Sequence, residues 1–179
     1  MEYMEALAAK ILDRDKWPDF ERADFLDELN AVADAAFDKG TVEGYLAALL
    51  IYHQLTEEML RMVQRWAEFF VQLRVAPIEY FDPLPEKAMF GKVIESVNRT
   101  IQFENRDRLV EAAEKINTNR IALVHGLTKR KSLQAVAEEA KKIRLLFDEF
   151  YDHFSDTREW FMLTFKDLRK DGEWEAYVE

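Results

Sequence analysis

The sequence predicts an all-α protein, an up-and-down bundle of four to five main helices with short flanking terminal helices. Three observations carry this. Apolar residues recur at three and four positions almost throughout, the period of one buried helix face. Strict apolar/polar alternation, the mark of a half-buried strand, is almost absent. The 179 residues include only five glycines and four prolines, so few positions punctuate the helices.

The elements follow in order. Met4, Leu7, Ala8 and Ile11 mark a short first helix. Pro18 suits the first turn of a second, which carries Phe25, Leu29, Val32, Ala36 and Phe37 and ends near Gly40. Thr41 is placed as the N-cap of a long helix reaching about Val75, where Pro77 stops it, with Glu43 in its first turn. At a rise of ~1.5 Å per residue that helix is about 50 Å long, the length of the whole domain. Its stripe is Val42, Leu46, Leu49, His53, Leu60, Val63, Ala67 and Phe70. Residues 76 to 86 hold three of the four prolines and form the longest expected loop.

A helix after Gly91, with Val93, Ile94, Val97 and Ile101, leads through the charged stretch 104 to 108 into a helix over 109 to 127. That helix is the centre of the functional argument. Its seam is Leu109, Ala113, Ile116, Arg120, Leu123 and Leu127, so one guanidinium lies among apolar residues and needs a partner. His125 precedes Gly126, which is expected to end the helix in the left-handed conformation. The basic turn 128 to 131 follows, and Ser132 opens a further long helix with the stripe Val136, Ala140, Ile143, Phe147, Phe150 and Phe154. A last amphipathic segment, Trp160 to Leu168, and the aromatic Trp174 and Tyr177 are expected to pack on the bundle.

With 49% hydrophobic residues, the chain can bury one full core, and residues 1–179 are read as one domain with its bundle core over about 20–155. The absence of cysteine excludes a disulfide, a thiolate nucleophile and a cysteine-ligated metal. The acidic start lacks the pattern of a secretory signal, and no apolar run approaches the ~20 residues that span a bilayer, so a cytoplasmic protein with no membrane partner is expected. The net charge of −10 argues against a broadly basic nucleic-acid binder. Yet between Lys87 and Lys131 ten basic residues meet five acidic ones, which makes that segment +5 and the rest −15. A positive zone in an acidic chain suits a polyanion site.

Histidines are the natural proton carriers near neutral pH. His53 lies on an apolar stripe with Glu57 one turn on and reads as a core histidine. His153 follows Glu149 by four residues, whereas carboxylate-bridged metal bundles place glutamate three before histidine. No metal and no cofactor are expected. His125 differs, because Arg120, Asn117, Asn119, Lys129, Arg130 and Lys131 are its sequence neighbours. Against a phosphodiester, an imidazole can move the proton of the attacking or leaving oxygen while a guanidinium neutralises phosphoryl oxygens. Five residues on an ideal helix turn about 140°, so the two side chains diverge unless the helix distorts or the site closes across a dimer.

The segment N-T-N-R-I-A-L-V-H-G-L resembles the signature of the HEPN superfamily, small all-α bundles marked by arginine, four to six residues, then histidine, near the end of a late helix. Arg120 and His125 match with a gap of four, and the resemblance covers roughly residues 20 to 155. It implies a homodimer with facing motifs and, in active members, metal-independent RNA cleavage in which the 2′-hydroxyl attacks the adjacent phosphate. Arg120, His125 and Asn119 would be catalytic, and Lys129, Arg130 and Lys131 would bind RNA phosphates. Active members usually carry a polar residue after the arginine, and here it is Ile121, for which Asn119 is the candidate substitute. The expected function is therefore to act on or bind RNA, with endoribonuclease activity of toxin or defence type as its enzymatic form. The alternative is a non-catalytic dimerisation or interaction module, with a protein partner such as a nucleotidyltransferase. A competing structural account pairs Arg120 with Glu57 or Glu149 and makes His125 a polar C-terminal cap.

Overall fold

A computed structural model describes residues 2–80, 84–85 and 87–178; part of the loop expected over 76 to 86 thus lies outside the described residues. The described residues are all-helical. The helices are α1 (Glu2–Leu12), α2 (Ala23–Asp38), α3 (Val42–Val75), α4 (Phe90–Thr100), α5 (Arg106–Gly126), α6 (Leu133–Ala140) and α7 (Lys142–Asp171), with short 3₁₀ turns at Arg14–Lys16, Leu127–Lys129 and Trp174–Tyr177.

The long helix α3 is the axis, and its start follows from Thr41, whose hydroxyl oxygen accepts the Gly44 N–H at 3.1 Å. Its 34 residues bury Leu49, Tyr52, Leu60, Met62, Val63, Trp66 and Phe69. Helix α7 runs alongside it in the same direction. Tyr52 stacks on Phe147, Trp66 contacts Phe154 and Phe161, and Phe69 meets Phe165, all with ring centroids 4.4 to 5.8 Å apart. Each such ring withdraws enough apolar surface to stabilise the fold by ~1.5–3 kcal/mol. Helix α5 returns antiparallel to α7, since Phe103 ahead of it touches Phe161 while Lys115 pairs with Glu149.

Helix α2 forms a hairpin with α3 around Gly40, whose φ of +69° is the left-handed end that glycine permits. Close approach is possible because α3 has Gly44 there: a Cβ would lie 2.2 Å from the Ala36 carbonyl oxygen. This contact decides which face α2 buries. Ala33 and Ala36 are enclosed, whereas Phe25 and Val32, expected on the buried stripe, are exposed. Short side chains let α2 lie close to α3, and the bulky ones are turned outward.

Other boundaries also differ from the sequence expectation. Pro18 does not open α2, which begins five residues later; residues 17 to 22 form a strap held by the Trp66 indole N–H donating to the Pro18 carbonyl at 2.8 Å. The charged stretch 104 to 108, open between a connector and a helical continuation, divides: residues 104 and 105 form a turn, with Asn105 at φ 62°, a conformation asparagine tolerates, and α5 begins at Arg106. Ser132 does cap a helix, its hydroxyl accepting the Ala135 N–H at 3.2 Å, but that helix is interrupted at Lys141. The segment Trp160 to Leu168 is no separate element, because α7 runs through it to Asp171. Trp174 then tucks back with its indole N–H donating to the Leu168 carbonyl at 2.8 Å.

Candidate functional site

Helix α5 delivers Arg120 and His125 in opposite states. The helix stays regular through Gly126, whose φ is −95°, so that glycine passes the chain into the 3₁₀ turn and does not adopt the expected left-handed end. The register therefore keeps the two side chains about 140° apart. Arg120 is half-buried, and its Nε is enclosed without a hydrogen-bond acceptor. His125 is exposed in the last turn. A single chain does not bring them together.

Nor does Arg120 make the ion pair of the competing account. Glu57 accepts from Arg61 at 2.8 Å, and Glu149 accepts from Lys115 at 2.8 Å. Among the described residues no carboxylate lies within ion-pairing distance of Arg120. Its charge reaches His53, whose pKa is lowered by burial first and by Arg120 second, against a weaker opposing pull from Glu57.

The other sequence-predicted residues divide. Asn119 Nδ2 donates to the Glu139 carbonyl at 3.5 Å, and its Oδ1 is enclosed with no donor. Arg130 donates to Glu139 Oε2 at 2.5 Å and to the Ala122 carbonyl at 3.3 Å, so it caps α5 and ties α6 to it. Lys129 and Lys131 stand exposed with no ion pair among the described residues. Of the ten basic residues counted between 87 and 131, Lys92, Arg99, Arg106, Lys115 and Arg130 are neutralised by carboxylates. Lys87, Arg108, Arg120, Lys129 and Lys131 are the remaining positive charges.

The two sides of α5 are unequal. On Asn119's side a shallow cleft of about 490 Å³ is lined by Glu111, Glu114 and Lys115, and since Lys115 is already paired with Glu111 and Glu149 the cleft is acidic and disfavours a phosphate. On the α4 side, Asn117 Nδ2 stands 3.8 Å from where a Cβ of Gly91 would be, and the His53 ring packs edge-on against Phe90 at 4.6 Å. His53 is 4% exposed and its Nε2 has no partner.

Sequence reasoning missed three features. His53 is buried as expected but is not satisfied, because its environment comes from α4 and α5, far along the chain. At the C-terminal end of α5, Ile121 and Val124 beside the seam and Leu127 at its end are exposed by 41%, 44% and 40%. Their spacing of three was readable, but not that the core stops short of them. The third feature is a polar cluster linking α2, α3 and α7: Tyr52 donates to Asp34 at 2.5 Å, and Arg144 bonds both Asp34 and the Tyr52 oxygen. Burial, and then that bond to Asp34, push the Tyr52 hydroxyl above its ordinary pKa.

Among the described residues, no three or more histidine, aspartate or glutamate side chains gather so as to hold a metal ion. No helix among them is long and apolar enough to cross a membrane. Comparisons of the chain with protein-family models, curated proteins and solved structures gave no match.

Proposed function

We propose that this chain is an HEPN-like RNA-directed protein, an up-and-down bundle that pairs with a second copy and holds RNA phosphate at Arg120. The carrying observation is the Arg120 guanidinium, set on an apolar seam with an enclosed Nε and no carboxylate among the described residues to answer its charge. The guanidinium is half-buried and its terminal nitrogens are not among the enclosed unpartnered atoms, so it can take an anionic ligand without first breaking an ion pair. The excess of unpaired cations at Lys129, Lys131 and Arg108 supports a polyanion as that ligand.

In this reading the homodimer supplies what one chain lacks. His125, pointing away from its own Arg120, meets the RNA held by the second copy. It accepts the 2′-hydroxyl proton as the 2′-oxygen bonds to phosphorus; the P–O5′ bond breaks, O5′ takes up a proton, and a cyclic phosphate remains. Arg120 neutralises the phosphoryl oxygens as charge builds on them. Lys129 and Lys131 assist, whereas Arg130 is held by Glu139 and Asn119 borders the acidic cleft; no metal takes part.

A second reading is favoured by the exposed Ile121, Val124 and Leu127, an apolar strip at the place where active family members carry a polar residue. Here the same surface serves a non-catalytic module that binds itself or a protein such as a nucleotidyltransferase. Digestion of a structured RNA in EDTA separates the two. The nuclease reading expects cyclic-phosphate ends from wild type and none from His125→Ala, with equal melting temperatures because His125 is exposed. Cleavage abolished by EDTA overturns it, and absence of cleavage by either protein leaves the binding module.

A further inference from the structure

The strap over residues 17 to 22 and helix α7 wall a cleft of about 750 Å³, the size of a small-molecule site, and no residue of α5 lines it. The cleft follows from the displaced start of α2. Because α2 begins at Ala23 and not at Pro18, the chain before it lies against α7 as a non-helical segment. Three contacts fix that segment. The Trp17 indole N–H donates to the Ile11 carbonyl at 3.0 Å, the Trp66 indole N–H donates to the Pro18 carbonyl at 2.8 Å, and the Phe20 ring meets Phe154 at 6.1 Å. A wall held in this way needs little ordering when a ligand arrives.

The lining has two chemistries. Met59 and Phe154 are buried at the floor, with Phe20 and Met162 half-buried beside them, so the interior is apolar and polarisable. The remaining lining carries four carboxylates, Asp15, Asp19, Asp27 and Glu159, against the two guanidinium groups of Arg14 and Arg158. Asp19 and Arg158 approach only to 3.7 Å and are both more exposed than buried, a pair of little strength. Asp15, Asp27 and Glu159 make no ion pair among the described residues. All of them belong to the part of the chain that carries −15, outside Lys87 to Lys131. An apolar floor beneath such a rim concentrates the negative potential within the cleft. The rings of Tyr151, which is exposed, and Phe20 add faces that attract a cation.

We infer that the cleft between the strap and α7 binds an organic cation with an apolar body, an alkyl- or arylamine. Charge complementarity selects this occupant. Its ammonium answers the unpaired rim carboxylates, and its hydrocarbon covers Phe154, Met59 and Met162. A neutral molecule leaves the carboxylates unanswered, and an anion is repelled by them. A bare metal ion is a poorer match, because among the described residues no three carboxylates gather so as to coordinate one. The site shares no residue with the RNA reading and stands apart from it.

The test is titration of the full chain with phenylbutylammonium, and in parallel with phenylbutanol and phenylvalerate as neutral and anionic counterparts, by calorimetry and by indole fluorescence. Trp17 lines the cleft, and Trp66 stacks under Phe154 at 5.5 Å, so an occupant changes the emission. The ammonium compound should bind saturably and about tenfold or more tighter than either counterpart, and its affinity should fall as salt is raised. Two variants place it. Asp27→Asn combined with Glu159→Gln alters only exposed side chains and should weaken binding severalfold. Ser155→Phe, at an exposed lining position of α7, fills the cleft and should abolish binding while the melting temperature holds. Non-saturable heat with wild type overturns the site, as does undiminished binding by folded Ser155→Phe. Equal affinity for all three compounds overturns the assignment to a cation.

Discussion

Replacing Arg120 with methionine should stabilise the protein while removing its affinity for anions. Arg120 follows Ile116 and precedes Leu123 on the seam of α5, both fully buried, and its Nε is enclosed without an acceptor. An unsatisfied buried donor costs ~1–3 kcal/mol. Arg120 is only half-buried, so part of the guanidinium keeps its hydration, and the low end, about 1 kcal/mol, applies. Methionine follows the same path with an unbranched apolar stem and leaves no donor behind. The expected gain of about 1 kcal/mol corresponds to a melting temperature ~2–4 °C higher for a chain of this size. Urea unfolding followed by circular dichroism, with the denaturant slope unchanged, measures it, and phosphate titration measures the lost binding. Had Arg120 been half of a buried ion pair, the same substitution would cost ~3–5 kcal/mol. A loss of stability of that size would refute the claim that the guanidinium lacks a partner within the chain.

Tyr52→Phe keeps the ring stacked on Phe147 at 4.4 Å but removes the hydroxyl shared by Asp34 and Arg144; urea unfolding should show a loss of about 1 kcal/mol. His53 has a pKa below its ordinary 6.5 in the folded protein, so below that pH the unfolded chain binds more protons and stability falls as the pH falls. His53→Gln should flatten this decline below about pH 6.5, and an unchanged pH profile would show that His53 is not held neutral. Val124→Asp places a charge in the exposed strip of α5 and should convert a dimer to a monomer in size-exclusion light scattering without lowering the monomer's melting temperature. A wild type that is monomeric at tens of micromolar speaks against pairing through this face.

What the sequence disclosed was set by local interactions. Thr41 capping α3, Ser132 capping α6 and the stripe from Val136 to Phe154 depend on residues three or four apart, and the structure has them where they were expected. The misplacements share another cause. Which face α2 buries is decided by Gly44 on the next helix, and the start of α2 is displaced by Trp66, 48 residues beyond Pro18. At the candidate site, Arg120 was conspicuous because a charge interrupted an apolar period. Gly91 and Asn117 carry no such mark, since a glycine near a helix start and an asparagine within a helix are each unremarkable alone. Only the packing of α4 on α5 brings the Asn117 amide to 3.8 Å from where a Cβ of Gly91 would be. The same holds for Asp34 and Arg144, which are 110 residues apart and joined through Tyr52.

The aromatic column between α3 and α7 also determines what light can report. All four tryptophans belong to one end of the molecule: Trp17 against Phe165, Trp66 against Phe154 and Phe161, Trp160 against Phe70 and Phe103, and Trp174 beneath the last turn of α7. Arg120 acts electrostatically on His53, which lies thirteen residues up α3 from Trp66, or about 20 Å. Indole emission is thus a built-in gauge for the end where α1 and the C-terminal tail dock, and it is blind to the end where α5 terminates. Undocking of the tail would shift the spectrum at once, whereas a ligand settling at Arg120 would leave it unchanged. Melts followed by fluorescence and by circular dichroism should coincide only if both ends come apart together.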